Sequence, residues 1–223
     1  GKNPAGLIYE LNINYYKQET AWGAGVGFPG RNWATYFIYK DQRIVVTEGQ
    51  WTATLGAGVR YRSFANTGGQ EIYMGPNMGA GGYPNRVTQE FWWSKPGTHE
   101  ISFTYDPVAD TLTTVVDGNP PLVYSDISLH AGCLPSTWNV MQIIVVIRDV
   151  NTIVDLNNVL LDGNPLGDFP GIYGLGTAGW RYWTVSNYDF SQGFTLTGQI
   201  YLGGPFSGSQ ESCKVEVDVG HAP

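Results

Sequence analysis

Charge is scarce in this sequence. Lys, Arg, Asp and Glu make up 14% of its 223 residues, against about 25% in an ordinary soluble domain. The twelve Lys and Arg are scattered and the formal charge is −7, which excludes the basic face a nucleic-acid partner requires. Long apolar runs are also missing. The longest, Ile143–Ile147, falls far short of the roughly 18–20 residues of a membrane-spanning helix, so no membrane span is expected. There is no Gly-x-Ser-x-Gly elbow, no Cys-x-x-Cys pair, no Asn-x-Ser/Thr sequon and no repeat of fixed period. These absences remove the usual hydrolase, zinc-ribbon and solenoid readings.

What is present suits strands. The chain holds 30 Gly and 14% aromatics, with abundant Thr and few strong helix formers. Apolar and polar residues alternate along Leu7–Tyr16, Ile101–Tyr105, Phe194–Leu202 and Lys214–Val219, the period of a strand with one face in a core. Further strands are expected at Trp33–Tyr39, Ile44–Thr47, Trp51–Leu55, Val59–Phe64, Glu71–Met74, Val87–Trp93, Thr111–Val116 and Ile153–Leu161. The run Val140–Ile147 reads as a central strand covered on both faces. Trp183–Ser186 and Phe194–Leu202, separated by Asn187, Asp189, Ser191 and Gly193, read as a hairpin. The charged outer side of Lys214–Val219 reads as a protected edge. With no convincing helix, the expectation is an all-β, two-sheet, jelly-roll-like sandwich over residues 21–223, carrying an N-terminal extension strand within residues 1–20.

Three stretches, Phe103–Gly118 (FTYDPVADTLTTVVDG), Asn158–Gly171 (NVLLDGNPLGDFPG) and Trp183–Leu202 (WTVSNYDFSQGFTLTGQIYL), resemble in order and spacing the choice-of-anchor domains of bacterial secreted and surface proteins. The resemblance spans roughly residues 90–202 and implies an extracellular or cell-surface location without catalysis. The sequence as given ends at His221-Ala222-Pro223 with no sorting signal, so covalent anchoring is not expected.

The candidate sites divide by chemistry. On the N-terminal strand, Leu7, Tyr9, Leu11, Ile13 and Tyr15 share one face. It is either a first strand of the sandwich or a donor strand that completes a neighbour's sheet, since β-augmentation takes affinity from the main chain and specificity from alternate side chains. Cys133 and Cys213 would close a loop of roughly 80 residues, worth about 4–5 kcal/mol in the chain-entropy model; the alternative is two unpaired thiols. A glycanase would need two carboxylates across a cleft. Glu48, Glu71, Glu90 and Glu100 are available, and Glu216-Val217-Asp218 comes nearest to a strand signature. The turns Asp117-Gly118-Asn119 and Asp162-Gly163-Asn164 carry oxygen donors that calcium uses, but they are also what tight hairpins demand. His99, His130 and His221 read as solvated loop or terminal residues. Eight Trp offer stacking faces for sugars, and of Trp92-Trp93 one must leave the inner face.

The expected function is therefore a non-enzymatic extracellular structural subunit that polymerises with itself through strand donation. No cofactor or metal is expected. A surface-displayed glycan-binding module is the alternative, and a jelly-roll glycanase a more distant one.

Overall fold

The computed structural model describes residues 9–13, 34–39, 42–64, 71–76, 86–148, 152–171, 179–206 and 213–223. Among the described residues, fifteen strands form two antiparallel sheets that pack face to face as a sandwich. The larger sheet runs, in spatial order, β1 (Tyr9–Ile13), β2 (Ala34–Tyr39), β3 (Gln42–Glu48), β13 (Gly179–Ser186), β10 (Val140–Ile147), β15 (Lys214–His221), β4 (Thr54–Arg62), β5 (Ile72–Pro76) and β6 (Val87–Gln89). The smaller runs β12 (Asn164–Pro170), β11 (Ile153–Leu161), β14 (Phe194–Gly203), β7 (Gly97–Asp106), β8 (Thr111–Val116) and β9 (Leu122–Ser125).

Alternation decides which face each strand buries. On β14, Phe194, Leu196, Ile200 and Leu202 enter the core while Thr195, Thr197, Gln199 and Tyr201 stay half-exposed. Ile101, Phe103 and Tyr105 of β7 do the same beside them. From the larger sheet, Val215, Val217 and Val219 of β15 meet Ala57, Val59 and Tyr61 of β4 across the ladder, all in the core. The run over β10 is buried at every position, as its lack of alternation predicts. Tyr61 on β4 and Thr114 on β8 tie the two sheets by a buried hydrogen bond of 2.7 Å. Thr114 gives its own proton to Ser102 O at 2.7 Å, so Tyr61 is the donor in that pair.

The structure corrects three expectations. Trp183–Ser186 and Phe194–Leu202 do not form a hairpin: β13 lies in the larger sheet and β14 in the smaller. The polar corner between them is a crossover, where Asp189 Oδ1 accepts from Ser191 N at 3.1 Å to start a short 3-10 turn that buries Phe190. The charged strand β15 is not an edge either, because it lies between β10 and β4. Asn164–Pro170, which the expected strands leave out after the Asp162-Gly163-Asn164 turn, is a strand that Pro165 and Pro170 disguise. Besides strands, the described residues contain a one-turn helix α1 (Ile127–His130) and 3-10 turns at Pro135–Thr137 and Phe190–Gln192.

Strand direction gives the sandwich two poles. One gathers the start of β7, the end of β14, the start of β15 and the end of β10, with residues 91–96 beside them. The other gathers the end of β7, the start of β14, the end of β15, and residues 106–111, 126–139 and 187–193.

Candidate functional site

Three polar constellations and one surface deserve the comparison with known chemistries. His99, expected to be solvated, is instead 2% exposed on β7, with its ring edge-on to Trp93 at 5.0 Å and Phe91 at 5.7 Å. Its Nδ1 lies 2.6 Å from Asp117 Oδ2, and its Nε2 lies 3.0 Å from Ser94 O and 3.5 Å from Ser94 Oγ. The residues are those of a Ser-His-Asp triad. The geometry is not. A general base must present a lone pair to the hydroxyl, but Nε2 faces a carbonyl oxygen, which only accepts, so that nitrogen carries the proton. The group clamps the start of β7 to the Asp117 turn, whose Oδ1 also accepts from Glu100 N at 2.8 Å.

A second cluster sits on the side of the larger sheet away from the core. Arg60 on β4 holds Glu216 on β15 with two contacts, Nε–Oε2 at 2.8 Å and Nη2–Oε1 at 3.1 Å, and Lys214 Nζ adds a third at 2.5 Å. Glu216 and Asp218, two residues apart on one strand face, are 2% and 4% exposed. Burial pushes the Glu216 carboxyl up, but Lys214 and Arg60 outweigh it and hold the group below the usual carboxylate range. Asp218 is raised well above that range, by burial and then by the Glu216 charge. One ionised and one protonated carboxyl is the division of labour in glycoside hydrolysis. Hydrolysis also needs a carboxylate open to the sugar and free to attack or to activate water. Here both groups are buried and Glu216 is already held by two cations. Of the glycanase candidates, Glu48 pairs with Arg181 at 2.9 Å, Glu100 accepts from Gln199 Nε2 at 2.6 Å, Glu71 is buried and Glu90 exposed.

A cavity of about 290 Å³ opens between the sheets where β3 and β13 face β12, lined by Val46, Glu48, Leu166, Phe169, Arg181 and Trp183 among others. Arg181 at its rim donates to Glu48 Oε1 at 3.0 Å and to Pro170 O at 3.1 Å, and lies over the Trp183 ring at 4.9 Å. Asp168 accepts from Asn158 N at 2.8 Å. The rim groups are thus engaged with each other and with the backbone.

The sequence-predicted residues fall as follows. Tyr9, Leu11 and Ile13 lie on β1 and are paired, at the Cα level, with Ile38, Tyr36 and Ala34 of the same chain; Leu7 and Tyr15 lie outside the described residues. The expected disulfide is absent, and both cysteines are free. Cys213 directly precedes β15, whereas Cys133 Sγ lies 3.4 Å from Thr54 O, at the level of His221 where β15 ends. The intervening strand is about 25 Å long, against the roughly 7 Å limit between α-carbons that a disulfide can bridge. Asp117 and Asp162 both sit at positive φ (50° and 49°) ahead of Gly118 and Gly163 (67° and 77°), the geometry of a tight hairpin turn. Asp162 Oδ1 accepts from Thr195 N at 2.7 Å and Oδ2 from the Tyr188 hydroxyl. No group of three or more metal-ligating side chains occurs among the described residues.

Of the indoles, Trp93, Trp138 and Trp183 are core, Trp92 is 75% exposed and Trp180 43%. Trp180 stacks on Tyr182 with planes 18° apart, and Arg148 and Lys214 lie over its ring at 5.3 and 5.2 Å. Sequence reasoning missed the burial of His99, Glu216 and Asp218; in each case alternation or local context predicted a wet side chain. Among the described residues no helix is long and apolar enough to cross a membrane. No family model matches the chain, and no curated protein matches it.

Proposed function

We propose that this chain is a non-enzymatic extracellular structural protein that assembles with copies of itself by exchanging its N-terminal strand. The observation that carries the reading is the connection of β1. It lies antiparallel to β2 with Ile13 beside Ala34, an arrangement two residues can close, yet residues 14–33 intervene. A link of that length lets the same ladder, Tyr9↔Ile38 to Ile13↔Ala34, form with the β2 of another copy, which is domain swapping by an element already complementary to its site. The other three sheet edges are blunted. β12 carries Pro165, Pro170 and an irregular register, β9 has four residues after Pro120-Pro121, and β6 has three. The edge at β2 is the one with ladder to give. The choice-of-anchor resemblance supports the extracellular setting.

Deletion of residues 1–20 tests this directly. The truncated protein is expected to fold and to remain monomeric at concentrations where the full chain forms fibres or layers in electron micrographs. A truncated protein that assembles like the full chain would sink the proposal. The glycan-binding reading rests on Trp92, the one indole more than half exposed among the described residues. It predicts that Trp92→Ala abolishes retention on an immobilised glycan array.

A further inference from the structure

In the single chain the edge that would accept a foreign strand is already filled. β1 ends the larger sheet and pairs with β2 alone. β2 is held from two sides. Each of its residues 34–38 is paired with β1 on one flank and with β3 on the other, from Ala34↔Thr47 to Ile38↔Arg43. It also approaches β12 of the smaller sheet. The two strands are therefore unequal. β1 leaves by breaking one ladder of five pairs, whereas β2 keeps its ladder with β3. Opening of that kind is local and costs less than unfolding the core. It uncovers the main-chain donors and acceptors along one edge of β2, a template for a strand of matching register.

We infer that β1 is an autoinhibitory contact: folded back on its own β2, it shuts the acceptor edge and keeps the chain single until that ladder opens. The tether sets the strength of the block. Residues 14–33 join β1 to β2, and a tether of this length holds the strand at an effective concentration on the order of 1 mM at its own site. A strand from outside competes with that concentration. Its apparent dissociation constant rises by the ratio of the effective concentration to the intrinsic constant, so a strand that binds an open edge at about 10 μM needs about 1 mM to displace β1. Dilute chains thus stay closed, and exchange begins where copies are concentrated toward that range. The inference rests on the strand-exchange reading and adds its control.

A labelled peptide of residues 1–20, titrated by fluorescence anisotropy against the full chain and two variants of it, tests this. Glu10→Pro with Leu11→Pro breaks the pairing of β1. One of any two consecutive residues bonds to the neighbouring strand, so the change removes a ladder bond whichever of them faces β2. That variant, its core checked by indole fluorescence and circular dichroism, is expected to bind the peptide about 100-fold more tightly than the wild type does. The second variant loosens nothing. Ile13→Cys with Ala34→Cys puts thiols on directly opposed residues, within the reach of a disulfide. Oxidised, it should bind less peptide than the wild type at about 1 mM, and reduction should restore the wild-type level. If the oxidised, wild-type and proline chains all bind the peptide alike, the internal ladder does not guard the edge and the inference fails, although β2 still accepts a foreign strand. If none of them binds it, β2 takes no strand from outside, and the exchange reading falls as well.

Discussion

At the residue scale, the buried acids set how stability answers to pH. Glu71 is 3% exposed, and its Oε2 has no hydrogen-bond partner among the described residues. Burial pushes its carboxyl from 4.5 up to about 7, against the opposing pull of Ser63, Arg62 and Lys95. A folded-state value above the unfolded one means the native state holds the proton more tightly. The associated stability is therefore full below about pH 4.5 and is lost as pH rises toward 7. Asp218, also raised, acts with the same sign. Glu71→Gln keeps the shape and removes the titration. The variant is expected to lose part of the decline in unfolding free energy between pH 5 and 8 and to exceed the wild type at pH 8 by about 1–2 kcal/mol. Urea titrations at the two pH values measure this; an unchanged slope would assign the decline to other groups.

At the element scale, the corner from β13 to β14 is the joint on which the two-sheet arrangement turns. Gly193 ends it at φ +92°, where a β-carbon would sit 2.9 Å from Tyr105 O and 2.8 Å from Pro107 Cδ. Gly193→Ala thus combines backbone strain with a backbone clash and is expected to cost about 2–4 kcal/mol by urea unfolding. Gly163→Ala, at φ +77° with open space around it, carries strain alone and should cost about half as much. Equal losses would show that the collision at Tyr105 relaxes freely. This corner also marks how far sequence reading reaches. The alternations of β14, β7 and β8 report directly which side chains enter the core. They say nothing of whether a turn leads back to the same sheet or across to the other, because that depends on the partner strand and not on the turn. β12 escapes notice for a different reason: two prolines and Gly167 at φ +100° are tolerated on an edge whose ladder serves one side only. The charges of β15 mislead in a third way. Lys214, Glu216 and Asp218 read as wet, yet with Arg60 they form a cluster in which the two carboxyls are buried, and pairing of this kind leaves no trace in the spacing of one strand.

At the scale of the whole molecule, one core is shared by both sheets, and that should govern how the protein unfolds. The buried cluster runs without a break from Ile44 and Val46 of β3, through Met141, Ile143 and Val145 of β10, to Leu156 and Val159 of β11 and Phe103 of β7. Trp138, in the loop before β10, packs on Tyr105 of the smaller sheet at 4.8 Å and donates to Cys133 O at 3.3 Å. At the other pole Trp93, 0% exposed and also outside any strand, meets Tyr61 of the larger sheet at 6.4 Å and His99 of the smaller at 5.0 Å. Neither sheet can leave without exposing the face the other covers. Indole fluorescence, which senses Trp93, Trp138 and Trp183 inside that shared layer, should therefore change at the same denaturant concentration as far-ultraviolet circular dichroism, which senses the strands. The coincidence should survive deletion of residues 1–20, since β1 is joined to the rest through its ladder with β2. Tyr61→Phe, which removes the hydroxyl that binds Thr114 across the layer, should lower the unfolding free energy by about 1 kcal/mol and move both midpoints down together. Separation of the two signals in any of these proteins would mean that the sheets unfold as independent units, and that the strands, not the layer between them, hold the molecule together.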